Sequence, residues 1–304
     1  MAIEYRSLRA AELDAWYALC GKLFSIGPAY FRRHFEMDPW ADLDGVFVAV
    51  DAGKLVSSVR VFRRFLMLEG RPVPTGGIGE VCTEPEYRGQ GISNRLLAMA
   101  MDFMRGRGMQ LGALYGVLTS HYGRHGFAPV GTYLCRVRAE DLPGAAQDAC
   151  VRAFARGDLP AAQGLYDLYA GQYPLSFWRG ENDYWKKWVL AEWKDAFVIE
   201  RGGRIAAYTD VEAGKDGLFV RDAACVPGEE EALYALVGEA ARVRGCDTVT
   251  GPEPVFKGVA SRREGEGEGH LMLCVLSPFD GIKDVASLKA RLHGPIVHWA
   301  TDGF

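Results

Sequence analysis

Apolar residues return along this chain with two different periods, and each change of period marks the boundary of an element. Tyr5 to Leu8 reads as a short strand, and Leu13, Trp16, Tyr17, Cys20 and Phe24 then recur at helical spacing, predicting a helix over 10–23. A second helix is expected from Tyr30 to Glu36, ended by Asp38-Pro39, because the residue before a proline is pushed out of the helical region. Strand-like runs at 45–50 and 55–68 flank the hairpin signal Asp51-Ala52-Gly53. Glu69-Gly70-Arg71-Pro72 then turns the chain toward a further strand at Val81. Ile92, Leu96, Met99 and Phe103 lie on one helical face that Arg105-Gly106-Arg107-Gly108 closes. Leu111 to Leu118 and Phe127 to Ala139 supply the last strands of an α+β unit.

Asp141-Leu142-Pro143-Gly144 breaks the pattern, giving an expected division into residues 1–145 and 146–304. The second part repeats the course of the first in eroded form. Ala153 to Ala170 matches the first helix, and 197–200, Arg201-Gly202-Gly203-Arg204 and 205–211 match the strand–turn–strand unit. A strand over 218–226, a helix over 229–242 and a strand at Thr248-Val249-Thr250 follow. Ser261 to Gly269, alternating Gly and Glu, is expected to be a flexible loop.

The chemistry concentrates at Arg88-Gly89-Gln90-Gly91-Ile92-Ser93, between a strand-like and a helix-like run. Glycines there let the main chain approach a ligand closely, and a helix starting near Gly91 aims free N–H groups and a positive dipole end at an anion. No Gly-Lys-Ser/Thr ending is present, so the loop is not that of a nucleoside triphosphatase. The glycine spacing and the missing βαβ unit exclude a dinucleotide fingerprint.

With Gly79-Glu80-Val81-Cys82-Thr83 before it and Tyr122-Gly123-Arg124-His125-Gly126-Phe127 after the next strand, this loop resembles the acetyl-CoA pyrophosphate loop of the GNAT acetyltransferase superfamily. The resemblance implies two tandem GNAT-like domains with mixed sheets flanked by helices. In the second, Pro227-Gly228-Glu229-Glu230-Glu231 replaces the cradle, and three carboxylates at a helix start would repel a pyrophosphate. Tandem domains of this kind are similar to bacterial acetyltransferases related to the mycobacterial enhanced-intracellular-survival enzyme. Those relatives carry a further sterol-carrier-like domain, for which this sequence is expected to have no room.

Amide formation needs a neutral amine, a base to produce it, and an acid for the departing thiolate. The resemblance implies acetyl-CoA as co-substrate, held by the backbone of Val81, Cys82 and Thr83 and by residues Arg88 to Ser93, with Tyr122 as the acid. Two groups compete as base: Glu80, and a C-terminal carboxylate at Phe304, which such relatives direct into the active site. His121 and His125 flank Tyr122 without a third ligand at metal spacing, so no metal is expected.

Composition narrows the acceptor only partly. The 304 residues are 49% hydrophobic and 24% charged, enough for two cores, with a net charge of -4 and a pI near 5.9. That balance argues against broad nucleic-acid binding. No run is long enough for a membrane span, the first residues lack a signal peptide's pattern, and a cytoplasmic location is the expectation. The seven cysteines are scattered and suggest neither a disulfide framework nor a zinc site. Phe177, Trp178, Tyr184, Trp185, Trp188 and Trp193 crowd one stretch, either as packing or as a cation- or sugar-binding surface. Glu36, Asp38, Asp42 and Asp44 read equally as an amine-attracting or a solvated acidic segment.

The expected activity is acetyl transfer to a primary amine of a small molecule: an amino sugar, an aminoglycoside-like compound or a polyamine. A protein N-terminus or lysine is the enzymatic alternative, and a non-catalytic acyl-CoA sensor with a protein partner the alternative from another class. Transfer from aminoacyl-tRNA conflicts with the intact CoA loop. Homo-oligomerisation stays open.

Overall fold

The computed structural model describes residues 3–116, 118–180, 182–266 and 270–303. Its first part runs β1 (Glu4–Ser7), α1 (Leu13–Phe24), α2 (Pro28–Met37), β2 (Val46–Asp51), β3 (Lys54–Leu68), β4 (Arg71–Thr83) and α3 (Ile92–Gly106). β5 (Leu111–Gly116), α4 (Thr119–Gly123), β6 (Ala128–Pro129) and β7 (Tyr133–Arg138) follow. The second part contains β8 (Ala149–Ala153), α5 (Leu159–Ala170), β9 (Leu175–Phe177), α6 (Asn182–Tyr184) and α7 (Leu190–Glu192). It continues with β10 (Ala196–Arg201), β11 (Arg204–Gly214), β12 (Gly217–Cys225), α8 (Glu230–Arg244), β13 (Thr248–Pro252), β14 (Arg262–Glu266), β15 (His270–Val275) and α9 (Val285–Lys289).

These strands form two mixed sheets flanked by helices, the α+β tandem arrangement expected. One sheet has the order β1-β2-β3-β4-β5-β15-β6, with β9 added on β3, and the other β14-β7-β13-β12-β11-β10-β8. The two orders are the same pattern with one strand exchanged. β15, from the second part, pairs with β5 and β6, while β7, from the first, pairs with β13 and β14. The division expected at residue 145 therefore does not separate the sheets. An alternating or apolar run reports that a strand exists and which faces it buries, but not which sheet accepts it. Leu271 and Leu273 of β15 enter one core cluster and Met272 and Cys274 another, so this strand is buried on both faces as a central strand must be. Cys135 and Val137 of β7 join the core of the second sheet.

The segment expected to be a flexible loop at 261–269 is strand β14 over Arg262–Glu266, edge-paired to β7, and 267–269 lie outside the described residues. Gly and Glu weaken a strand intrinsically, but pairing to a committed neighbour overrides the local preference. The helix expected from Ala153 starts only at Leu159, as α5, and Ala153 instead ends β8, paired with β10.

The first sheet carries α3 on one face, over Phe47, Ile78 and Leu114 through Ile92, Leu96, Leu97, Ala100 and Met104. α1 and α2 cover the other face with Trp16, Cys20 and Phe31 against Val48 and Cys82. β4 and β5 are parallel and joined through α3, the crossover that such a pair requires.

Candidate functional site

The parallel pairing of β4 and β5 extends only from Thr75↔Leu111 to Ile78↔Leu114. Among the described residues, the two strands share no further rungs, although β4 continues to Thr83 and β5 to Gly116. The sheet opens here as a V, and over 81–83 the β4 edge facing β5 shares no ladder rungs with it, the kind of edge along which an extended amide-bearing chain can add. On its other edge β4 stays bonded to β3, Ser58↔Cys82 and Ser57↔Thr83.

The cradle follows directly. Gly89 and Gly91 both have φ +77°, the left-handed region that glycine occupies without strain, and Gly91 caps α3. A Cβ on either glycine would meet nothing within 4 Å, so the loop's concave side is open to a ligand. The first N–H groups of α3 point into this space, since the helical ladder begins with Arg95 N to Gly91 O. Arg88 Nε donates to Thr83 O at 3.1 Å and Gln90 Nε2 to Glu86 O at 3.2 Å, closing the turn on itself. Lys22 Nζ to Glu84 at 2.7 Å and Tyr87 Oη to Asp51 Oδ2 at 2.8 Å pin its entrance. A pyrophosphate fits this arrangement: exposed N–H donors, a helix dipole, and no acidic side chain among residues 88–93.

Glu80 sits on a β-bulge. Between Ser58↔Cys82 and Arg60↔Gly79 two residues of β4 oppose one of β3, and Glu80 takes φ +53°. A bulge re-aims the side chain it carries and is frequent beside active sites. The Glu80 carboxyl points toward the α1/α2 side, where Arg60 Nη1 lies 3.3 Å from its Oε1, while Oε2 is buried without a hydrogen-bond partner. Burial pushes its pKa up to about 7 against the opposing pull of Arg60, with Asp38 adding to the rise. A carboxyl poised near neutrality can take a proton from an ammonium group and release it again.

Arg60 belongs to a buried charge chain that the sequence reading missed. Its Nη2 donates to Asp38 Oδ2 at 3.1 Å, and Arg64 Nη1 donates to both Asp38 oxygens at 3.1 Å. Asp38 is 4% exposed, which removes it from the solvated acidic segment considered above, whereas Asp42 and Asp44 pair with Arg107 nearer the surface. Phe35 and Phe62 lie 4.9 and 3.9 Å from the Arg60 guanidinium. The signal was there: arginines at positions 60 and 64 interrupt an apolar strand on one face, where a charge survives burial only with a partner.

Tyr122 stands across the V in α4, on the α3 side of the sheet. Its ring rests on Gly116, where a Cβ would come within 2.8 Å of the ring, and packs edge-on to Phe127 at 6.5 Å. Burial raises its pKa, so the phenol keeps its proton at neutral pH. His125 Nε2 lies 3.3 Å from Asn94 Oδ1, tying the segment after α4 to the first turns of α3. Among the described residues no group of three His, Cys, Asp or Glu side chains is placed to hold a metal ion.

The equivalent turn of the second part is filled by its own chain. Gly228 N–H donates to Glu230 Oε1 at 3.2 Å, a carboxylate standing where a phosphate would, and Glu229 is paired with Arg204. The aromatic cluster is packing: Phe177, Tyr184, Trp185 and Trp188 are buried, and Trp188 reaches the first part at His34 (4.9 Å) and Phe62 (6.3 Å). Phe304, the alternative base, lies outside the described residues. The tail before it is threaded between the sheets, held by Arg179 with Nε 2.7 Å from Asp302 Oδ1 and Nη1 2.8 Å from Asp222 Oδ2, all fully buried. His298 of this tail is hydrogen-bonded to Tyr115 of β5.

A splayed parallel pair, a bulge and a glycine cradle capping the crossover helix all lie within residues 4–130, and that segment matches the GNAT acetyltransferase domain family. The chain is thus similar to GNAT acetyltransferases over less than half of its length. It is 30% identical over 108 residues to a mycothiol acetyltransferase of Thermobispora bispora, a match covering 34% of this chain and 36% of that protein. The chain therefore spans little more than a third of that relative's length. A GCN5-related N-acetyltransferase from Anabaena variabilis shares the fold with a TM-score of 0.73 at 15% identity, covering 91% of this chain and 73% of that one. Eis1 from Mycobacterium abscessus superposes with a TM-score of 0.66 at 17% identity, covering 90% and 74%.

Proposed function

We propose that the protein is an acetyl-CoA-dependent N-acetyltransferase acting on a primary amine of a small molecule, by direct attack on the thioester. The observation carrying this reading is the bulge carboxyl Glu80, half-ionised near neutrality, on one side of the V, with the protonated phenol of Tyr122 on the other. Acetyl-CoA supplies an activated acetyl group. The N–H groups of residues 89–93 hold its pyrophosphate, and the open β4 edge at Val81, Cys82 and Thr83 holds its pantetheine amides and polarises the carbonyl. Glu80 takes the proton of the incoming ammonium, directly or through water; the neutral amine then forms the C–N bond at the carbonyl as the C–S bond breaks, Tyr122 gives its proton to the departing sulfur, and the second proton shed by the nitrogen restores the phenol through water. Arg60 orients Glu80 and keeps it from drifting further toward the neutral acid. No helix among the described residues is long and apolar enough to cross a membrane, and a cytoplasmic site of action goes with the use of acetyl-CoA.

Release of free CoA across a panel of amines and peptides, run beside Tyr122→Phe, tests the reading. Turnover with small amines, reduced in the variant by about 10²-fold or more while acetyl-CoA binding persists, is expected. Turnover confined to peptides would replace the small-molecule acceptor by a protein one. Acetyl-CoA binding without any turnover would favour the sensor.

A further inference from the structure

Along its edge away from β4, β3 is covered at both ends and left bare between them. β2 accompanies it only as far as Val46↔Arg60, and β9 joins only at Leu66↔Phe177, with Trp178 N–H reaching Phe65 O at 3.0 Å. Among the described residues no strand pairs with 61–64 on that edge. The connection from α2 to β2 passes the gap instead, and the end of α3 borders it, leaving a cavity of about 480 Å³.

Three aromatic rings stand in its walls, Trp40, Phe65 and Phe103, each half-buried. The charges around them do not balance. Arg107 is met by Asp42 at 3.3 Å and by Asp44 at 3.5 Å. Arg64, 1% exposed, is met by both oxygens of Asp38 and by the rings of Trp40, Tyr184 and Trp188 at 5.8, 5.4 and 4.9 Å. Arg63 is exposed, its guanidinium lies 5.9 Å from the Phe65 ring, and among the described residues no carboxylate pairs with it. An aromatic hollow thus carries one uncompensated cation at its rim.

We propose that this cavity is a second ligand site, separate from the acetyl-CoA V, and that it takes a small aromatic carboxylate, its ring among Trp40, Phe65 and Phe103 and its carboxylate on Arg63. The site goes beyond the transferase reading and does not depend on it.

The ligand class follows from the lining. A carboxylate matches two parallel N–H groups of one guanidinium. A phosphate dianion would bring a second negative charge beside Asp42 with no second free cation to meet it, and an ammonium ligand would face Arg63 as a like charge. Aromatic walls favour an aromatic body over an aliphatic one of the same size through ring-to-ring contact. Nor is the cavity an extension of the V. α3 begins at the cradle and ends at the cavity, and its 15 residues put the two about 22 Å apart along the helix. Arg64 is common to this wall and to the charge chain through Asp38 and Arg60 to Glu80, so the site adjoins the proposed chemistry without entering it.

The test uses the full chain, with and without saturating CoA, and three probes followed by saturation-transfer NMR and calorimetry. These are indole-3-acetate, tryptamine, which carries the same ring on a cation, and cyclohexylacetate, which carries the anion without an aromatic ring. Indole-3-acetate should bind saturably, about three- to tenfold more tightly than cyclohexylacetate, and tryptamine should not bind. Arg63→Gln should weaken indole-3-acetate by about tenfold, the loss of a charge-assisted hydrogen bond at an exposed rim. Arg63→Glu should reverse the preference, admitting tryptamine and excluding indole-3-acetate. Ala41→Trp, which fills the cavity, should abolish binding with the thermal midpoint retained; if that variant does not fold, the two Arg63 variants decide. Displacement of indole-3-acetate by CoA would put the probe in the V and overturn the separate site. Binding indifferent to both Arg63 variants, or tryptamine bound as well by the wild type, would overturn the role of Arg63. No binding of indole-3-acetate, or cyclohexylacetate bound as tightly, would overturn the ligand class.

Discussion

Arg60 stands between Glu80 and Asp38 with one guanidinium nitrogen on each: Nη1 is 3.3 Å from Glu80 Oε1 and Nη2 is 3.1 Å from Asp38 Oδ2. The protonation of the bulge carboxyl is therefore set by three influences with known signs. Burial raises its pKa, Arg60 lowers it, and Asp38 raises it.

Glu80→Gln should remove the acid limb of the pH profile. With the carboxyl titrating near about 7, wild-type kcat/KM rises as pH passes through that value, because the ionised form is the base. The glutamine variant should lose activity by about 10²- to 10⁴-fold and show no rise near pH 7. A limb that persists in Glu80→Gln would assign it to another group. The stability consequence has the opposite slope. The folded chain holds a proton that an unfolded carboxyl with a pKa of 4.5 does not, so Glu80's contribution falls as pH rises from about 4.5 to about 7.

Asp38→Ala should unfold the protein more readily and move the acid limb downward. It leaves Arg60 and Arg64, each 1% exposed, without the carboxylate between them. Breaking a buried pair in this way costs about 3–5 kcal/mol, readable by urea denaturation. Asp38→Asn keeps the shape and some hydrogen bonding, folds better, and removes the charge that raises the Glu80 pKa. Its acid limb should then lie below that of wild type, and an unchanged limb would separate Asp38 from the site.

The cradle gives a binding prediction. Gly91 caps α3 at φ +77°, and a β-branched residue there is strained by about 1–2 kcal/mol before it meets any ligand. Its side chain would also enter the open space proposed for the pyrophosphate. Gly91→Val should weaken acetyl-CoA binding by at least about tenfold by calorimetry, with the acceptor KM little affected. The corresponding change at Gly228, whose N–H is already met by Glu230, should leave acetyl-CoA affinity unchanged.

Local chemistry was legible in the sequence to the extent that it depends on neighbours along the chain. The glycines at 89 and 91, the start of α3 and the strand bearing Glu80 are all set by residues within one turn or one strand, and all stand where the spacing put them. The exchange of β7 and β15 was not legible, because an apolar strand is equally content in either sheet and the choice is made by packing more than a hundred residues away. For the same reason Asp38 looked like one of several loop carboxylates. Only the fold brings it between arginines twenty-two and twenty-six positions further on.

That exchange makes the two parts mutually dependent. Residues 1–145 expressed alone would lack β15, leaving β5 with an open edge beyond β4 and β6 with no sheet to join. β7, carrying the buried Cys135 and Val137, would have neither β13 nor β14 to cover it. Open edges and an uncovered apolar strand promote association between chains. The fragment is therefore expected to aggregate or to exchange slowly between oligomers in size-exclusion chromatography, and to show poorly dispersed amide resonances. Co-expression with residues 146–304 should restore a one-to-one complex, because each fragment then supplies the strand the other lacks. A monomeric, well-dispersed 1–145 fragment that binds acetyl-CoA would show that β15 is dispensable to the first sheet, and that the exchange follows folding of the two parts rather than completing it.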